Sequence, residues 1–126
     1  MAVTARAAPS PDPGIVLTKA VVKAAARLGL SARALARVIG VSEPTVSRMK
    51  AGAYRLDPGG KPFELAVMLV RLYRSLDAIA GGDDAVSRAW LHGANTDLAG
   101  VPAERIASVQ GLVDVVAYLD ARRARV

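Results

Sequence analysis

The chain of 126 residues has no cysteine, one His, one Trp and one Phe. Without cysteine there are no disulfides, no zinc–thiolate sites and no thiol nucleophile, a composition that fits a reducing cytoplasm. A single His cannot build a His-rich metal site. No apolar run approaches the roughly 20 residues that a membrane span needs. Sustained apolar–polar alternation is missing as well, so strands are not expected and the chain reads as all-α. The opening MAVTARAAPSPDPG has three prolines and a glycine but no apolar core. It reads as a flexible arm over residues 1–14 and not as a secretion signal.

What is present is positive charge, and it is unevenly placed. Residues 1–60 carry nine Lys and Arg against three acids, whereas residues 61–126 carry eight of each. The whole formal excess of +6 therefore sits in the first half. Such asymmetry points to a polyanion contact made by one half of the molecule. A solvated surface with a chance bias is the plainer explanation, so the motifs have to decide.

The first half divides at its glycines. A helix is expected over about Ile15–Leu28, with Leu17, Val21, Ala24 and Leu28 on one stripe and Gly29 closing it. Ser31 and Ser42 each precede a short helical segment as N-caps. Gly40 lies between those segments, where a tight turn needs positive φ, and Pro44 falls in the first turn of the second. Ser31 to Gly52 thus has the spacing of a helix-turn-helix. In that motif the second helix lies in the major groove with its N-terminal residues toward base edges. Ser42, Glu43, Thr45, Ser47, Arg48 and Lys50 are then candidate groove-facing residues. Thr45 and Ser47 would read with hydroxyls, and Arg48 is the candidate for a guanine O6/N7 pair. Lys50, Arg33 and Arg37 would serve phosphates. The segment resembles the Xre/Cro-type helix-turn-helix family over about Leu28–Leu56. It departs from the pattern at Glu43, an acid near the tip, and at Pro44, which removes a donor. A hairpin that keeps the shape without sequence-specific binding is the competing reading.

YRLDPGGKP forms a linker, which divides the chain into a helix-turn-helix lobe at 15–60 and a second helical lobe at 61–126. The fourth helix, about Pro62–Ala80, has a main stripe of Leu65, Met68, Leu69, Leu72, Leu76 and Ile79. A second patch of Phe63, Val67 and Val70 lies on its other side. A helix apolar on both sides must bury both. That patch meets either the other lobe or a second copy, which makes Phe63, Val67 and Val70 candidate dimerisation residues. Asp83 or Asp84 caps a helix through Leu91. A short helix follows from Pro102 to about Ser108, and a last one spans about Gln110–Arg123.

Arg88–Ile106, RAWLHGANTDLAGVPAERI, holds the only Trp, His and Asn of the chain. His92 has no Ser-His-Asp arrangement or acidic cluster to work with. No Gly-rich phosphate loop or paired-carboxylate motif accompanies it. Catalysis is not expected, and neither a metal nor a cofactor is implied. The stretch reads better as a corner: Trp90 and Leu91 end a helix, Asn95 bonds the turn, Gly100 permits the bend and Pro102 starts the next helix.

Trp90-Leu91, Asn95, Leu98, Gly100, Pro102, Glu104 and Ile106, followed by Gly111-Leu112, Val115 and Tyr118-Leu119-Asp120, come in order. The series resembles the toxin-binding domain of the Xre/MbcA/ParS antitoxins over about Pro62–Arg125. Ala94 stands where many relatives have Pro, and Val101 where many have Thr. The resemblance implies a cytoplasmic type II antitoxin that neutralises a RES-domain toxin, one that consumes NAD⁺ or uses it for ADP-ribosylation. It also implies binding to the promoter of its own operon. The expected toxin-facing residues are His92 and Asn95 in the loop, Asp114, Tyr118 and Ala121 on the last helix, and Arg122, Arg123 and Arg125 in the tail. Tyr and Arg are enriched at interface hot spots. A frayed, solvated basic terminus is the plainer alternative for the tail. A homodimer inside a larger toxin–antitoxin complex is expected, since two half-sites favour two-fold proteins. Two other functions fit part of the sequence: a stand-alone Xre-type regulator whose second lobe only dimerises, and an antitoxin that has lost DNA binding.

Overall fold

The computed structural model describes residues 10–124. Among them seven helices are present: α1 (Pro13–Arg27), α2 (Ala32–Ile39), α3 (Glu43–Lys50), α4 (Lys61–Ile79), α5 (Asp84–His92), α6 (Pro102–Arg105) and α7 (Val109–Arg123). The only strand-like pairing among these residues is an isolated bridge between Asn95 and Gly100. The protein is all-α, as its patterning requires.

Capping explains most of the boundaries. The Ser31 hydroxyl accepts from Ala34 N at 3.0 Å and the Ser42 hydroxyl from Thr45 N at 3.2 Å. Each satisfies one of the donors left orphaned at a helix start. Asp83 does the same for α5 through Ala85 N and Val86 N. Gly40 ends α2 at φ 76°, a left-handed conformation that an L side chain adopts only with strain.

Two boundaries differ from expectation. α1 starts at Pro13 because the Asp12 carboxylate caps Gly14 N and Ile15 N. Asp12, Pro13 and Gly14 are therefore built into the fold, and Gly14 is buried against the Leu56 carbonyl. α6 stops at Arg105, short of Ser108. The Ser108 hydroxyl caps Gly111 N instead, which starts α7 one residue ahead of Gln110. Gly111 packs directly on the Arg105 carbonyl, where a Cβ would collide with backbone.

α4 is the central element. It packs most extensively on α7 and then on α1 and α2. One core cluster runs from Val21, Leu28 and Leu35 of the first half through Leu69, Leu72 and Leu76 to Leu91, Ile106, Leu112 and Leu119 of the second. The two faces of α4 explain this. Leu69, Leu72 and Leu76 are buried, whereas Leu65, Met68 and Ile79 are half-buried. On the second face Val70 is buried and Phe63 half-buried, while Val67 stays 44% exposed.

Candidate DNA-reading and toxin-binding surfaces

α2 and α3 meet across the Gly40 turn. Leu35, Ala36, Val38 and Ile39 of α2 and Val46 and Met49 of α3 are buried. Their burial turns Glu43, Ser47 and Lys50 outward at i, i+4 and i+7, with Arg48 exposed beside them. Arg33 is exposed in the first turn of α2. Among the described residues, Arg33, Lys50 and Glu43 form no ion pair. Glu43 is the first residue of α3, where an acid favours the positive end of the helix dipole. Pro44 follows it in a first turn that needs no intrahelical N–H. Both departures from the expected motif thus have a local reason.

Two candidates are more constrained than their types suggest. Thr45 is half-buried, with its hydroxyl 2.9 Å from the Ser42 hydroxyl and accepting from Arg48 Nη2 at 3.1 Å. A short polar chain from the start of α3 therefore holds the side chain of Arg48, which stands in the last turn of that helix. Arg37, one turn after Arg33 on the same exposed side of α2, also lines with Ala34 and Val38 a cleft of about 490 Å³ whose α6 side carries Ala103 and Glu104.

In the second half the expected residues separate into four places. Tyr118 stacks on Trp90 with ring centroids 6.0 Å apart and an interplanar angle of 19°. The Arg122 guanidinium lies 4.5 Å over the Tyr118 ring. The Tyr118 hydroxyl donates to Asp97 Oδ2 at 3.0 Å, and Arg122 Nη2 reaches the same oxygen at 3.3 Å. Tyr118 and Arg122 are thus joined through Asp97, and Ala121 is exposed next to Arg122. Asn95 holds the loop that delivers Asp97. Its side-chain oxygen accepts from Leu98 N at 3.1 Å, and its backbone bonds Gly100 in both directions.

Asp114 sits apart from this cluster. It accepts from Arg105 Nη2 at 3.2 Å and from Gln110 Nε2 at 2.8 Å, so each of its oxygens has a partner. His92 faces the first half of the molecule. Its Nε2 lies 2.9 Å from the Leu28 carbonyl, which can only accept, so the ring proton sits on Nε2. Arg88, one turn earlier on α5, donates to the Arg27 carbonyl at 3.3 Å. Together they cap the C-terminus of α1, a favourable place for donors and positive charge. Arg27 in turn donates to the Tyr73 hydroxyl, which raises its pKa above the ordinary value. Arg123 lies at yet another place, a groove shared with α1 and α4. Arg125 lies outside the described residues.

Asp97, Trp90 and Arg88 were not singled out from the sequence as site residues. Asp97 lies 21 residues from Tyr118 and 25 from Arg122, separations that no periodicity exposes. Arg88 carries a faint signal, since it stands four residues before His92 on the same helix face.

Two capped helices around a left-handed glycine, with an exposed basic second helix, define a helix-turn-helix protein. It carries a second helical half joined through α4. The chain belongs to the Xre-type antitoxins: residues 8–71 match the antitoxin Xre-like helix-turn-helix domain, and residues 75–125 match the antitoxin Xre/MbcA/ParS C-terminal toxin-binding domain. It is an antitoxin of a toxin–antitoxin system. A comparison with curated proteins finds no match. The first match extends into α4, past the linker at residue 60, so α4 completes the helix-turn-helix half as well as supporting the other.

Proposed function

We propose that the chain neutralises a RES-domain toxin, one that consumes NAD⁺ or uses it for ADP-ribosylation, by obstructing its active site, and that it represses its own operon through α3. The observation that carries the first part is the Trp90–Tyr118–Arg122–Asp97 cluster at the end of α7. It is a group of half-buried aromatic rings and exposed charged side chains already held in one arrangement. Such a surface gives up little conformational entropy on docking. The end of α7 with residues 94–98 is the toxin-facing surface. Arg122 is the side chain suited to an anionic group such as a pyrophosphate. Asn95 acts there by shaping the loop, and His92 by fixing α5 to α1.

The second part rests on Arg48 and Lys50, exposed together on a helix whose other side is buried. A homodimer on a two-fold operator accompanies it. Its motive is the symmetry of DNA sites, because α1 already covers part of the Phe63–Val70 face.

The test is co-expression with the toxin gene adjacent to this one. Cellular NAD⁺ should fall when the toxin is expressed alone and recover with the full chain. Removal of residues 122–126 should abolish recovery while leaving promoter binding intact. Full rescue by the truncated chain would refute the toxin-facing role of the tail. A self-only complex with no effect on the toxin would point to a stand-alone regulator.

A further inference from the structure

A groove between α1, α4 and the end of α7 is used by neither the DNA face nor the Tyr118 cluster. It holds about 530 Å³. Its floor is apolar, built from Val16, Leu17 and Ala20 of α1 and from Val67 and Val70 of α4. Val16 is 51% exposed and Val67 44%, although they stand next to each other's helices in one depression. Its rim is cationic, with Arg71 and Arg74 from α4 and Arg123 from α7, and no acid lines it. Arg71 shares its charge with Asp120. Arg74 and Arg123 form no ion pair among the described residues.

An apolar floor about one helical turn long with a rim of one sign fits a helix whose apolar stripe is flanked by Asp and Glu. A second copy of the chain fits less well. An isologous contact would bring both sets of three arginines to the same patch, opposing like charges at close range. DNA fits poorly too, because phosphates gain nothing from a valine floor. We propose that this groove docks an acidic amphipathic helix of a partner protein. Val16 and Val67 meet its apolar stripe, and Arg74 and Arg123 meet its carboxylates. The assignment moves Arg123 from the tail surface to this groove and is independent of the identity of the toxin.

The test uses the full chain, ¹⁵N-labelled, and two synthetic helical peptides of about 15 residues, long enough to hold helix when docked. Both carry the same leucine stripe, flanked by Glu in one and by Lys in the other. The Glu peptide should shift the amides of Val16, Ala20, Val67 and Arg74, and its binding should weaken as salt rises. The Lys peptide should leave them in place. Val67→Glu and Arg74→Glu should each weaken binding of the Glu peptide by about tenfold or more, without changing the melting curve of the chain. Shifts centred on α3, or an equal response to both peptides, would overturn the proposal. Conversion of a dimer to a monomer by Val67→Glu would also overturn it, since the face would then cover a second copy.

Discussion

The two halves of the molecule display their charged side chains in opposite ways. On the helix-turn-helix half, Arg33 and Lys50 stand exposed with no partner among the described residues, and the half as a whole carries the positive excess. On the other half the charges balance and several are committed to one another, Arg122 to Asp97, Arg105 to Asp114 and Arg71 to Asp120, while Arg74 and Arg123 at the apolar groove form no ion pair among the described residues. Loose cations suit a polyanion, whose attraction comes from the release of counterions and tolerates imprecise placement. A paired surface suits a protein partner, because groups already fixed in place lose less on docking. Yet the halves are not separate bodies, for α4 supplies core to both.

That shared core gives the largest effect. Leu72 is fully buried in α4, and Leu72→Ala should destabilise the whole chain by about 2–5 kcal/mol. Thermal unfolding followed by circular dichroism should show one transition moving down as a unit. Two transitions, only one of them displaced, would separate the halves and dissolve the shared core.

The glycines sharpen the contrast at backbone level. Gly40 needs its left-handed φ but has open space, with nothing nearer than Leu65 Cδ1 at 3.9 Å from an added Cβ. Gly40→Ala should therefore cost about 1–2 kcal/mol, the usual penalty of left-handed backbone for an L residue. Gly111 has the opposite problem, since an added Cβ would strike the Arg105 carbonyl. Gly111→Ala forces α6 and α7 apart and should cost more, about 1–3 kcal/mol, with loss of toxin binding ahead of DNA binding. Denaturant titration of both variants ranks them; equal costs would mean that the α6–α7 corner yields easily.

At the DNA face Arg48→Ala should cost about 1–3 kcal/mol against the operator and little against unrelated DNA. Lys50→Ala should weaken both alike and reduce the salt slope by about one. Electrophoretic shifts across a salt series distinguish these patterns. Uniform weakening by both variants would make α3 a non-specific cationic surface.

Much of this was legible in the sequence because the signals are local. Ser31, Ser42 and Asp83 announce helix starts by their side-chain chemistry, and Gly40 announces a turn. Val46 and Met49 follow from the spacing of apolar positions on α3. The remainder depends on partners far away along the chain. Periodicity shows that Phe63, Val67 and Val70 form an apolar face, but not that α1 of the same chain covers part of it. A lone His suits a helix C-terminus, but only the fold shows that His92 caps α1, at the Leu28 carbonyl 64 positions away. Arg37 and Arg33 are equivalent by type and spacing, and only the position of α6 draws Arg37 into a cleft. The early end of α6 was hidden for a different reason: Ser108 fits a helix interior or a cap, and only the close approach of Gly111 to Arg105 decides between them.

The smallest expected effect tests the most distinctive contact of the second half. Asp97 is reached by both Tyr118 and Arg122; Tyr118 is half-buried, but Asp97 and Arg122 are exposed enough for solvent to weaken the pairing. Asp97→Asn and Tyr118→Phe should each lower stability by only about 0.5 kcal/mol, and the coupling between them in a double-mutant cycle should be of similar size. Toxin binding should respond more than stability does, because the loop at residues 94–98 would lose its tether to α7 and arrive less ordered. Calorimetric titration of the partner against the single and double variants measures this. A less favourable binding entropy with little change in unfolding temperature would mark the cluster as a preorganised docking surface. Equal losses in stability and in affinity would reduce it to an ordinary structural contact. The contrast between the unpaired cations of the DNA face and the fixed pairs around α7 would then describe packing alone, not two different modes of recognition.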